Sequence, residues 1–271
     1  MSGLTRRRIA RGGFLLLLLA AAAAAWGAEE VDARRERHLL IRDLGDTKFS
    51  ARAEAEKRLV RLGEGAVPDL ILALEGRHRA VTTMAEDRRD LARARAARVL
   101  GAIGGARAAR HLLKALDGKT ERVRDAAIGA LGALRCKEAV PRLVKLLVSG
   151  GAAPAREAAL ALGAIGDRSA AKELVELLRD RVALEDRYRD GAAVSRVRSA
   201  AAFALGMLGD TSAVPALLGA LRDPDLRVRT HANLALRKMS GRDLRFDPKA
   251  PAGEREKLAR AWDAWWKAKL K

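Results

Sequence analysis

The chain has 271 residues, 49% of them apolar and only 3% aromatic, and Lys plus Arg exceed Asp plus Glu by 53 − 34 = 19. Ala and Leu, both strong helix formers, dominate the apolar set, while strand-favouring aromatic residues are scarce, which argues against a sheet-based fold. A single cysteine, Cys136, excludes an intramolecular disulfide and a Cys-based metal site, and the basic excess attracts polyanions without naming one.

Taken in chain order, residues 1–27 read as a signal peptide. Arg6, Arg7, Arg8 and Arg11 precede an uncharged run from Phe14 to Trp26, and the small residues Ala25 and Gly27 set a cleavage point before Ala28. The run is shorter than the roughly 20 apolar residues that span a bilayer. The expectation is export to the periplasm or beyond, with membrane anchoring if the segment stays attached and no transmembrane span in the mature chain. Residues 28–45, with Leu39, Leu40 and Leu44, are expected to form a lone capping helix.

From residue 46 to 240 the chain repeats itself. Leu59, Leu100, Leu131, Leu162, Leu205 and Leu236 occupy one recurring position, at spacings of 41, 31, 31, 43 and 31. A 31-residue unit with insertions of 10 and 12, near 77–90 and 181–195, accounts for all five spacings. Each unit reads as two helices. In the third, Val123, Ala126, Ala127, Ala130, Leu131 and Leu134 form one apolar helical face, and Val140, Leu143, Val144 and Leu147 form a second. Gly63, Gly104, Gly166 and Gly209 mark helix ends, and Pro68, Pro141 and Pro215 sit in the first turn of second helices. Arg52, Arg93, Arg124, Arg198 and Arg229 each lie seven residues before the recurring Leu. Such a ladder is expected to bind acidic turn residues such as Asp167 and Asp210, or else to form a stripe for phosphate or carboxylate. Residues 241–271 read as a linker and a helix whose Trp262, Trp265 and Trp266 cover the open end of the last unit.

Val123-Arg124-Asp125-Ala126-Ala127 with Leu131-Gly132, and Val197-Arg198-Ser199-Ala200-Ala201 with Ala204-Leu205-Gly206, resemble bacterial HEAT repeats of the type found in phycobilisome lyases. The resemblance implies an all-α fold, a right-handed α-solenoid of about five HEAT repeats with capping helices at both ends, whose second helices line a concave face. Two departures stand out: Arg135-Cys136 replaces Gly-Asp, and Ala155 replaces the recurrent Arg. Cys136 is expected at an accessible turn as an inert thiol. On the implied concave face His111, Lys114, Arg142 and Lys145 make a basic centre next to an acidic step, Glu173 and Glu176. These six are the candidate binding residues.

Chemistry is not legible in the linear sequence. None of His38, His78, His111 or His231 is followed by Glu, the pairing through which deoxyhypusine hydroxylase, also built of HEAT repeats, holds iron. No serine elbow or phosphate loop occurs. The G-x-x-G pairs Gly101/Gly104, Gly163/Gly166 and Gly206/Gly209 read as helix ends. The expected function is an extracytoplasmic scaffold that binds a protein or peptide through its concave face. It is expected to be no enzyme and to use no metal, cofactor or small-molecule substrate. The alternatives are a polyanion or nucleic-acid binder and a phycobilisome-lyase-like enzyme.

Overall fold

The computed structural model describes residues 29–269; the segment read as a signal peptide lies outside the described residues. The first helix, α1, covers 29–43. Paired helices then follow in order. They are α2 (Phe49–Leu62) with α3 (Val67–Leu74), α5 (Glu86–Ile103) with α6 (Ala106–Ala115), α7 (Glu121–Ala133) with α8 (Val140–Ser149), α9 (Ala152–Ile165) with α10 (Ala171–Arg179), and α12 (Gly191–Leu208) with α13 (Val214–Ala220). Last come α14 (Leu226–Ser240) and α15 (Ala252–Lys269). Two short helices, α4 (Arg79–Thr82) and α11 (Arg181–Tyr188), lie between pairs. The chain is an all-α solenoid of two helix rows, first helices against first helices and second against second.

The recurring leucines explain the stacking. Leu59, Leu100, Leu131, Leu162, Leu205 and Leu236 are all fully buried, each contributing about 1.5–3 kcal/mol of burial. Beside them runs a closer contact. A Cβ placed on Gly101, Gly132, Gly163 or Gly206 would stand between 2.7 and 2.9 Å from the Cα of Ala130, Ala161, Ala204 or Ala235 in the next first helix. Each of these glycines follows its recurring Leu, and each alanine precedes the next one. The expectation that both glycines of each G-x-x-G pair end helices is therefore corrected. Gly104, Gly166 and Gly209 do end helices, with positive φ, whereas Gly101, Gly163 and Gly206 let two helices cross.

The insertions behave alike. Each yields a short helix, α4 or α11, and a lengthened first helix: α5 and α12 have 18 residues against 13 in α7.

The arginine ladder is structural, but Asp167 and Asp210 are not its partners, and its recurring partners are backbone carbonyls. Arg93 Nε donates to Leu74 O at 3.0 Å, Arg124 Nη1 to Gly118 O at 3.3 Å, Arg198 Nε to Leu178 O at 2.9 Å and Arg229 Nη1 to Asp223 O at 2.7 Å. These are the bare carbonyls that end the preceding second helix or its turn, groups that need a donor. Arg198 also pairs with the buried Asp223. Asp167 and Asp210 instead accept from the backbone N–H of Ser169 and Ser212. Those bonds hold both carboxyls below the usual range.

At one end α1 buries Leu40, Ile41 and Leu44 and ties to α3 through Arg37 Nε and Asp69 Oδ2 at 2.8 Å. At the other, α15 packs beside α13, in the place of the missing last second helix. Trp262 is fully buried, its ring meets Trp265 edge-on at 5.5 Å, and Trp265 and Trp266 pack partly buried against the core. Arg222, in the turn after α13, clasps Glu256 and Asp263, both at 2.8 Å.

Candidate functional site

The second helices bring the six candidate residues to one side of the molecule and sort them into two kinds. In the second and third units the first of each pair reaches toward the preceding second helix. His111 Nδ1 lies 2.8 Å from Glu75 Oε1. Arg142 Nη1 donates to Leu113 O at 2.7 Å and pairs with Asp117 at 3.2 Å. These two are inter-repeat ties, so the basic centre is smaller than its letters suggest. Lys114, Lys145 and Glu176 are exposed and, among the described residues, form no ion pair. Glu173 is half-buried, and its Oε2 is shielded from solvent with no hydrogen-bond partner among the described residues.

Two clefts frame this row. A basic one of about 200 Å³ is bounded by Glu75, Arg93, His111, Lys114 and Thr120. Burial alone would raise the Glu75 carboxyl, but hydrogen bonds from His111 and Arg77 outweigh it and hold the group below the usual range. The second cleft, of about 140 Å³, has acids Glu173, Glu176 and Asp180 beside apolar Leu147, Leu177 and Leu184. Arg187 of α11, which donates to Leu147 O at 3.4 Å, closes its far side. The row therefore offers a cationic step and, two repeats on, an anionic one, each next to apolar surface.

Cys136 is buried at 7% exposure, not accessible as expected of its turn position. Its Sγ donates to Glu138 Oε2 at 3.3 Å. Burial, then Glu138, pushes the thiol above its usual range, which disfavours the thiolate a nucleophile needs. The groove that opens beside this turn was not anticipated from the sequence, although the Arg135-Cys136 departure marks its position.

An all-α solenoid of paired helices tied through recurring leucines and arginines is the architecture of helical-repeat proteins. The chain belongs to the HEAT-repeat family: the family described as HEAT repeats matches residues 109–195 and 192–252. The PBS lyase HEAT-like repeat matches residues 92–118. Similar solved structures include the complex of CpcE and CpcF of phycocyanin lyase from Nostoc sp. PCC7120, at 25% identity and TM-score 0.47, covering 83% of this chain and 94% of that one. Human deoxyhypusine hydroxylase in complex with glycerol is similar at 19% identity and TM-score 0.36, over 80% of this chain and all of the other. An engineered protein is similar at 22% identity and TM-score 0.40, over 76% and 96%. No curated protein sequence matches the chain.

The match of the PBS lyase HEAT-like repeat to residues 92–118 corrects the expectation that the chain is no enzyme, because a repeat class named for a lyase covers that part of it. The physical reason is that a solenoid can assemble reactive groups from several repeats, where no linear motif records them. HEAT repeats as a class suggest a scaffold or interaction role. Among the described residues no helix is long and apolar enough to cross a membrane.

Proposed function

We propose that the chain is an extracytoplasmic scaffold that holds a protein or peptide partner along its second-helix face. The observation that carries this is the row of exposed Lys114, Lys145 and Glu176 on neighbouring repeats, unpaired among the described residues, with a basic and an acidic cleft beside it. Graded charge on a rigid face fixes the orientation and register of a partner. The export half of the proposal rests on the pattern of residues 1–27. N-terminal sequencing of the native protein tests it, and a chain recovered from the cytosol with Met1 intact would remove it.

The scaffold half is tested against its polyanion alternative by salt. Heparin or single-stranded DNA binding through this row would fall with a log–log slope of roughly −0.7 to −0.9 per phosphate contact. Polyanion binding that survives physiological salt and collapses in Lys114→Glu plus Lys145→Glu would overturn the scaffold reading. A second reading, a lyase, is favoured by the match of the PBS lyase HEAT-like repeat to residues 92–118. Mixing the chain with phycocyanin and following its visible spectrum tests that reading.

A further inference from the structure

We infer that a groove over the turn of the third repeat docks an acidic, leucine-bearing peptide segment of a protein partner. It lies toward the opposite end of α6 from the basic cleft and does not depend on the role of the Lys114–Lys145 row.

The groove encloses about 610 Å³. Its floor is apolar, made by Ala106, Ala109, Leu113 and Leu134. Arg110 and Arg135 flank it, both exposed, and among the described residues neither is in an ion pair or hydrogen bond through its side chain. The buried arginines Arg95, Arg198 and Arg229 are by contrast tied to acids or carbonyls, so these two exposed guanidinium groups keep their hydrogen-bonding capacity for a partner. The acid at the rim, Glu138, already accepts the Cys136 thiol.

Comparison with the sister turns gives the second observation. Repeats four and five end the first helix with Gly166 and Gly209 in the left-handed region and cap the next turn with Asp167 and Asp210. The third repeat places Arg135 there at φ 51°, a conformation that costs a side chain and suits glycine. It follows with Cys136, whose side chain makes no capping bond. One turn has thus given up an unstrained residue and a cap. In exchange it gains a cation and loses an acid beside the groove. Strain kept in one copy of a repeat and absent from its sisters points to a role for the side chain that carries it.

The chemistry of the occupant follows. Two guanidinium forks suit carboxylates through paired, charge-assisted hydrogen bonds, and the apolar floor takes an aliphatic side chain between them. No aromatic ring lines the groove, so stacked bases have no platform.

The probe is a short fluorescein-labelled peptide of Glu and Asp with Leu spaced along it. A Lys-and-Leu peptide of the same pattern and a single-stranded oligonucleotide serve as controls. Saturable binding of the acidic peptide alone is expected. Arg110→Glu should weaken it roughly tenfold or more, the loss of one charge-assisted hydrogen bond. Arg135→Gly and Cys136→Asp recreate the sister turn. Both should weaken binding while raising the melting temperature, so lost binding cannot be ascribed to unfolding. Lys114→Glu plus Lys145→Glu should leave peptide binding unchanged, which separates this site from the second-helix face. No binding of the acidic peptide, equal binding by all variants, or preference for either control would overturn the inference. So would a lowered melting temperature in Arg135→Gly, because Arg135 would then be a structural residue.

Discussion

Along the first-helix row, α5, α7, α9 and α12 each meet the next helix through the same contact, a glycine against an alanine. Along the second-helix row four joints are made in four different ways: Arg37 with Asp69, His111 with Glu75, Arg142 with a carbonyl and Asp117, Arg222 with Glu256 and Asp263. The difference is one of available space. Where a Cβ would stand under 3 Å from the neighbouring backbone, nearly one solution exists, and each repeat must use it. Where side chains meet at a solvent edge, many pairings hold the same spacing at similar energy, so each repeat is free to carry its own chemistry. Fold is specified on one row and individuality on the other.

The largest effect expected from breaking this contrast comes from the buried arginine of α12. Arg198→Met would leave Asp223 buried without its partner, a loss of about 3–5 kcal/mol, read by chemical denaturation. A first-row joint comes next. Gly163→Leu drives a side chain into Ala204 and should cost about 3 kcal/mol, the upper end of ordinary overpacking. Gly129 sits in α7 with nothing near its missing Cβ, so Gly129→Ala should stabilise by about 0.5–1 kcal/mol. If the two glycines responded alike, the close-crossing account would fail.

Acidity probes the same row. His231 of α14 faces α12, its Nδ1 2.7 Å from Ser199 Oγ, and burial pushes its pKa down. His78 is pushed down likewise by burial. The unfolded chain takes up protons near about pH 6.5 that the folded imidazoles resist. Stability therefore rises with pH across the window just below that value and is lost as pH falls through it. Melting temperatures across this window should drop in the wild type and flatten in His78→Gln plus His231→Gln. The smallest effect belongs to the second row. Lys145→Glu should move stability by less than about 0.5 kcal/mol while altering partner binding.

Much of this organisation was legible in the sequence, for particular reasons. Six leucines at one recurring position expose the unit because repetition makes a weak pattern unmistakable, and the tryptophans at 262, 265 and 266 announce a covered end. Other features have no linear trace. The ladder arginines bind backbone carbonyls, which every residue possesses and no letter marks. His111 finds Glu75 across 36 positions. Gly101 and Gly104 look equivalent in the sequence, and only the proximity of Ala130 to the first tells a crossing from a helix end. Cys136 occupies a turn position yet is buried, packed into the core cluster in a way that its place in the repeat does not mark.

The glycine-on-alanine contact also bears on how the molecule's length is set. Because Gly132 and Gly163 present the same surface to the helix that follows, joining Leu131 directly to Gly163 would remove 31 residues and still leave a glycine facing Ala204. Copying the unit would add a step in the same way. Such a chain works as an adjustable gauge, whose reach can be shortened or extended by whole units without inventing a new seam.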